Sequence, residues 1–114
     1  PPISGEVNDV NTIIKENNIF YPNVIHPNSQ IKQNTAFTIF DNGAIKSIER
    51  LRIYDRWGEL IWQRENFPSN DVNNGWDGTF RDKAVNPGVF VWVADLLLTD
   101  GRKITETGDV TVVE

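Results

Sequence analysis

From Ile19 onward, the chain consists of short runs of β-branched and aromatic residues separated by Gly, Pro, Asn and Asp. β-Branched and aromatic side chains favour strands, whereas the separating residues favour turns. No apolar pattern with a helical period is sustained, so we expect no helix of useful length. The sequence therefore predicts an all-β fold, an antiparallel β-sandwich of about seven strands.

The strand pattern occurs in the segments Ile19–Tyr21, Ala36–Phe40, Ile48–Asp55, Glu59–Arg64, Gly88–Leu98, Arg102–Thr107 and Asp109–Val113. Alternation in the third segment directs Leu51 and Ile53 to the core, and directs Arg50 and Arg52 to water. Gly58 is able to adopt the positive φ angle of a tight turn. We therefore expect the third and fourth segments to pair antiparallel.

The segment Val89–Ala94 differs from the others, because both of its alternating sets of side chains are apolar. This pattern is typical of a central strand with both faces covered. Asp100-Gly101 follows it as a strong turn signal. We therefore expect the last three segments to form a meander.

The composition excludes several classes of function. The chain has no Cys and one His, so it lacks thiolate sites and imidazole clusters for transition metals. His26 has no Ser or Asp at the spacing of a catalytic triad, and we predict neither enzymatic activity nor a cofactor. A net charge of −5 without a basic run argues against nucleic acid. The apolar stretch Val89–Leu98 is far shorter than the roughly 20 residues of a membrane-spanning helix.

Residues 1–18 have a different composition from the rest, because they are polar and rich in Asn apart from Ile13 and Ile14. Such composition is typical of a linker. The chain opens on Pro1-Pro2 and contains no Met, so we expect a piece of a longer protein. We predict a linker over 1–18 and one domain over 19–114, which we expect to be monomeric. A short edge strand at Thr12–Lys15 is the alternative.

The loop Ser69–Gly78 is rich in Asp and Asn, whose side-chain oxygens bind calcium. Its spacing does not fit a helix-loop-helix calcium site, since Gly75 and Asp82 occupy two ligand positions. Asp and Asn also close turns by accepting nearby backbone N–H groups. We favour that interpretation and predict no metal site.

Trp76 in this loop has two interpretations. An exposed indole would stack on a sugar or bind a partner, whereas a buried one would cover one end of the core while Asp77 closes the turn. We favour the buried position.

Four motifs occur in order along the chain: Asp55-Arg56-Trp57-Gly58, Gly75-Trp76-Asp77-Gly78-Thr79, Pro87-Gly88-Val89-Phe90-Val91-Trp92 and Gly108-Asp109-Val110-Thr111-Val112-Val113. In order and spacing the chain resembles, from about Ile19 to its last residue, the gliding-motility-associated C-terminal domain. That family is the type B sorting domain of type IX secretion system cargo in Bacteroidota.

The resemblance implies an immunoglobulin-like β-sandwich that acts as an address. It implies that the domain directs an upstream cargo through the periplasm and the outer membrane to the cell surface or medium. The implied partners are type IX secretion components at the outer membrane, including a β-barrel receptor, and the cargo domain in the same chain. An immunoglobulin-like adhesive or carbohydrate-binding module is the alternative, which the four Trp residues would suit.

Two departures from the family pattern stand out. After its first strand the family usually carries Phe-Ser-Pro-Asn-Gly-Asp-Gly-x-Asn-Asp, whereas residues 25–34 lack acidic side chains here. We therefore expect no calcium in this loop. The chain also finishes with Glu114, where family members often carry a basic residue.

Two routes of recognition are open. The terminal strand Asp109–Val113 would add to a partner's sheet as an exposed edge, or the Asp55–Gly58 hairpin and the Gly75–Gly78 loop would form a surface patch. Turn architecture explains the same motifs without a partner. The candidate recognition residues are Asp55, Arg56, Trp57, Gly58, Gly75, Trp76, Asp77, Gly78, Gly108, Asp109, Val110, Thr111, Val112 and Val113.

Overall fold

Within residues 18–114, which a computed structural model of the chain describes, there are nine strands and no α-helix. In chain order the strands are β1 (Ile19–Phe20), β2 (Val24–Ile25), β3 (Phe40–Asp41), β4 (Ile45–Tyr54), β5 (Leu60–Phe67), β6 (Thr79–Phe80), β7 (Lys83–Ala84), β8 (Gly88–Leu98) and β9 (Lys103–Val112). Short 3-10 turns occur at Lys32–Asn34 and Val72–Asn74. The predicted all-β class is confirmed. The predicted linker, apart from Asn18, and the alternative strand Thr12–Lys15 lie outside the described residues.

The long strands form one five-stranded sheet in the order β2-β9-β8-β4-β5. β4 pairs antiparallel with β5, as expected, and on its other side with β8, which pairs antiparallel with β9. β2 is the exception, because it lies parallel to β9 with Val24 opposite Thr111. Two small antiparallel pairs, β1 with β3 and β6 with β7, complete the fold.

The core lies against one face of the main sheet. Leu51 and Ile53 of β4 are fully buried there, as the alternation predicts. Arg50 is exposed as predicted, whereas Arg52 is half-buried beside Asp95. Trp92 of β8 contacts the segments that cover this face. Its ring stacks on Tyr21 with 4.8 Å between ring centres, and packs against Phe37 with 5.5 Å between ring centres. These aromatic contacts place the short strands and loops over the sheet.

The opposite face of the sheet is only partly covered. β8 is central, as predicted, but Val89 is 46% exposed and Val91 and Val93 are half-buried. The expectation that both faces are covered is therefore wrong. These valines suit an open face because their β-branched side chains favour the pleated backbone even where burial is incomplete.

Several strand limits differ from the prediction. The segments Arg102–Thr107 and Asp109–Val113 form the single strand β9, so the predicted meander is one hairpin. Gly108 does not break this strand, because it lies flat against Trp92, whose ring is 2.8 Å from the position of an added Cβ atom. Of the segment Ala36–Phe40, only Phe40 belongs to a strand. The rest is buried and forms one isolated bridge, between Phe37 and Trp76.

The β8–β9 turn is held by a charged hydrogen-bonding pair. Asp100 accepts hydrogen bonds from the backbone N–H and the guanidinium of Arg102, at 3.0 and 2.8 Å. The backbone bond first, and then the guanidinium, lower the pKa of Asp100. Gly101 adopts a φ of 92°, which confirms the turn predicted at Asp100-Gly101.

Candidate functional site

The β4–β5 turn displays two large side chains that take no part in forming it. The Asp55 carboxylate accepts the backbone N–H groups of Trp57 and Glu59, both at 2.9 Å, and Gly58 supplies the left-handed conformation with a φ of 87°. Trp57 is 81% exposed, and the Arg56 guanidinium lies 5.0 Å from the centre of its ring. The turn therefore holds an arginine and an indole together in solvent.

This turn borders a cavity of about 500 Å³, which we call the Trp57 groove. The groove is bounded by the Asp55–Glu59 turn and by side chains of residues 80–90. Its apolar lining includes Ile61, Val85 and Phe90. The motif that begins at Pro87-Gly88 also meets the turn here, because the Arg56 guanidinium lies 3.2 Å from the position of an added Cβ atom at Gly88.

The groove brings together side chains that sequence reasoning missed. Arg81 and Lys83 line it together with Arg56, and the Arg81 guanidinium lies 4.9 Å from the ring centre of Phe80. Residues 80–83 form the tip of the β6–β7 hairpin. The only signal for them in the sequence is a basic residue on each side of Asp82, and this pattern is too short to interpret.

The Gly75–Gly78 loop belongs to the core. Trp76 is fully buried, its indole N–H donates to the Thr79 carbonyl at 2.8 Å, and its ring meets Phe90 edge-on at 5.1 Å. The Asp77 carboxylate accepts the Thr79 hydroxyl at 2.7 Å and thereby closes the turn. The favoured interpretation of both residues is confirmed, and Trp76 is not accessible to a partner.

The terminal motif is also largely internal. Val110 and Val112 of β9 are buried on the core face of the sheet, whereas Asp109 is exposed. The backbone N–H of Thr111 donates to the Asn23 carbonyl at 2.9 Å, and that of Val113 donates to the Ile25 carbonyl at 3.0 Å. The segment around β2 therefore pairs with the outer edge of β9 at the end of the chain. Of the candidate recognition segments, Asp55–Gly58 alone lines the groove.

Comparison with known families decides what kind of domain this is. The family model for the CHU_C type IX secretion signal domain matches residues 19–112. The chain belongs to the CHU_C family. The resemblance found in the sequence is thus confirmed, and the domain is a type IX secretion C-terminal signal. Membership implies export across the outer membrane and interaction with the secretion machinery.

The fold of this CHU_C domain is similar to that of one solved structure. The crystal structure of CopC from Methylosinus trichosporium OB3b matches it with a TM-score of 0.50 and 14% sequence identity. The match covers 82% of this chain and 84% of that chain. At this identity, the similarity shows the β fold alone. No curated protein matches the chain.

We expect calcium not to stabilise the CHU_C domain. Within residues 18–114 no group of three or more His, Cys, Asp or Glu side chains is placed to hold a metal ion. Asp71 accepts the backbone N–H of Asn73 at 2.9 Å and so closes a turn. Addition of about 5 mM calcium should change the melting temperature by less than about 1 °C in differential scanning fluorimetry. A rise of several degrees would contradict this.

The described part of the chain contains no helix with the length and apolarity of a membrane span.

Proposed function

We propose that this CHU_C domain is the address that routes an upstream cargo through the periplasm and the outer-membrane translocon to the cell surface or medium. It acts as a folded, non-catalytic surface on an immunoglobulin-like β-sandwich over residues 19–114. Its partners are secretion components at the outer membrane, including a β-barrel receptor. Family membership supports the route, and the buried core of the domain supports recognition in the folded state.

The exposure of Trp57 carries the choice of recognised surface. The indole is 81% exposed. The turn does not depend on it, because Asp55 accepts the backbone N–H groups and Gly58 supplies the positive φ angle. Trp and Arg are the residues that most often dominate binding energy at protein interfaces. We therefore place the recognised surface at the Trp57 groove.

The terminal strand is the weaker candidate. Its outer backbone groups at Thr111 and Val113 are already bonded to the segment around β2. The unoccupied outer edge of β9 lies earlier, at Lys103–Asp109, as far as residues 18–114 describe it. Addition of a partner strand at the end of the chain would require β2 to leave the sheet.

A secretion assay tests the proposed function. The full chain is fused behind a fluorescent protein with a periplasmic signal peptide, and expressed in Bacteroidota cells with and without a working type IX translocon. We expect reporter outside the cells only when the translocon works. Reporter retained in both strains would contradict the proposal.

We predict that Trp57→Ala and Arg56→Ala each reduce export at least about fivefold, because loss of an interface hot spot weakens binding by this much or more. The melting temperature should stay within about 2 °C, since both side chains are exposed. Secretion of the reporter and circular dichroism measure the two effects.

Matched controls are present outside the groove. Phe20 is an exposed aromatic residue at 61%, and Arg64 lies over the ring of Phe67 at 5.5 Å. Phe20→Ala and Arg64→Ala should be exported normally. Normal export of both Trp57→Ala and Arg56→Ala would exclude the groove as the recognised surface.

A carbohydrate-binding module remains the second candidate function, because an exposed indole beside a cavity also suits a sugar ring. Binding of a neutral oligosaccharide by the purified chain, lost in Trp57→Ala, would favour it. Normal export of Trp57→Ala would then assign the indole to carbohydrate binding and not to sorting.

A further inference from the structure

We propose that the Trp57 groove binds a short acidic peptide segment of a secretion partner. Arg56, Arg81 and Lys83 hold its carboxylates, and an apolar side chain of the peptide packs between the indole of Trp57 and the groove. This inference rests on the proposed function, because it names the chemistry that the recognised surface selects.

Three cations line the groove: Arg56, Arg81 and Lys83. Three of the five cations on the main sheet have acidic partners: Arg50 with Glu65 at 3.2 Å, Arg52 with Asp95 at 3.8 Å and Lys103 with Glu49 at 3.7 Å. The three groove cations form no ion pair within residues 18–114. The chain as a whole has a net charge of −5, so this concentration of positive charge is local.

Two carboxylates, Asp55 and Glu59, also line the groove, so its three cations leave a formal charge of +1, and Asp82 lies between Arg81 and Lys83 at the tip of the hairpin. Asp55 is directed into its own turn, where it accepts two backbone N–H groups. Glu59 is the remaining acid among the groove residues. A ligand with two or more carboxylates would therefore find cations on both sides of the cavity.

The two guanidinium groups of the groove each lie over an aromatic ring. The Arg56 guanidinium lies 5.0 Å from the centre of the Trp57 ring and 3.2 Å from the position that a Cβ atom at Gly88 would occupy. Arg81 lies over Phe80 at 4.9 Å. Stacking on an aromatic face orients a guanidinium and leaves its N–H edge free for a carboxylate. Such preorganisation reduces the entropy lost on binding.

The backbone at Arg81 gives an independent argument. Arg81 and Asp82 have φ angles of 55° and 65°, the left-handed conformation that a two-residue hairpin turn requires. Asn and Gly are the usual residues there, because other side chains are strained in this region. An arginine at a strained position beside a groove points to a role for its side chain.

Size and composition favour a peptide over other anions. A cavity of about 500 Å³ accommodates a few side chains, and its apolar residues Ile61, Val85 and Val89 suit an apolar group of the ligand. Three cations on a chain of net charge −5 are too few for a nucleic acid backbone. A neutral sugar would leave the cations unpaired.

Peptide binding to the full 114-residue chain tests the inference. The probe is the blocked peptide Glu-Glu-Leu-Glu-Glu, followed by NMR through the indole N–H signal of Trp57. We expect saturable binding that weakens at least about threefold between 50 and 300 mM NaCl, because salt screens exposed charges. The peptide Lys-Lys-Leu-Lys-Lys should not bind, and replacing the central Leu with Gly should weaken binding. Equal binding of the basic peptide would overturn the proposal.

Arg81→Asn separates binding from folding. Asn removes the charge and tolerates the left-handed conformation, so the melting temperature should be unchanged or higher. Affinity for the acidic peptide should fall about threefold or more, the upper part of the range for an exposed ion pair. Arg64→Gln, outside the groove, should bind like the parent. Unchanged affinity in Arg81→Asn would count decisively against the inference.

Three further outcomes separate this inference from the proposed function. Cellohexaose shifting the Trp57 signal while the acidic peptide leaves it unchanged would refute the peptide site. Failure of the peptide to bind, with export still dependent on Trp57, would refute the inference and leave the proposed function intact. Peptide binding without any dependence of export on Trp57 would refute the assignment of the peptide to a secretion partner, although the groove would still bind acidic peptides.

Discussion

Trp76→Ala should lower the free energy of unfolding by about 3–5 kcal/mol and the melting temperature by about 15 °C or more. The indole is fully buried, packs edge-on against Phe90 and donates to the Thr79 carbonyl. Its removal would leave a large cavity at the point where the loops cover the sheet. Thermal and urea unfolding followed by circular dichroism measure the loss.

The matched comparison is Trp57→Ala, which removes an indole that is 81% exposed. This change should alter the free energy of unfolding by no more than about 0.5 kcal/mol. Trp76→Phe should give an intermediate loss, because a smaller aromatic ring stays in the core and the hydrogen bond to Thr79 is removed. A melting temperature of Trp76→Ala within about 5 °C of the parent would contradict the core position of the indole.

The two tryptophan motifs thus have different roles. Gly75 shows why the second motif is structural: a Cβ atom there would lie 2.2 Å from the Phe37 carbonyl oxygen, across the bridge that joins Phe37 to Trp76. The motif Gly75–Gly78 therefore specifies packing of the covering loops onto the sheet. The motif Asp55–Gly58 forms a turn through Asp55 and Gly58 and leaves Arg56 and Trp57 exposed, where we propose that a partner recognises them.

The long strands could be predicted because they contain enough residues to display a pattern of alternating or continuous apolar side chains. β8 was predicted with its observed limits, and the alternation around Leu51 and Ile53 gave the buried face of β4. β2, β6 and β7 each have only two residues, which cannot display a period. The sequence predicts two strands separated at Gly108, whereas the structure has one strand there, because the Trp92 ring beside Gly108 requires a residue without a side chain.

The groove could not be predicted, because its two sides are distant in sequence. Arg56 comes from the β4–β5 turn, and Arg81 comes from a hairpin between two-residue strands. The sequence shows the charged residues, but it does not show that the fold places them on facing sides of one groove. Of the patch predicted from Asp55–Gly58 and Gly75–Gly78, the first turn is exposed and borders the groove. The turn chemistry of Gly75–Gly78 holds a buried indole instead.

Deletion of Gly108–Glu114 should abolish both export and cooperative unfolding. The deleted segment contains Val110 and Val112, which are at most 3% exposed, and it pairs with β8 on one side and β2 on the other. Loss of these buried side chains and both sets of backbone hydrogen bonds removes a large part of a stability that is typically only about 5–15 kcal/mol. Circular dichroism of the purified truncated chain and the secretion assay measure the two losses.

Because the deletion unfolds the domain, Asp109→Ala is the variant that tests the terminal strand as a recognition element. Asp109 is exposed and lies on the partly covered face of the sheet, opposite Val91. Its replacement should leave the melting temperature within about 2 °C and export unchanged, since exposed substitutions seldom affect stability. Export of the truncated chain, or loss of export in a folded Asp109→Ala variant, would each contradict recognition through the Trp57 groove of a folded domain.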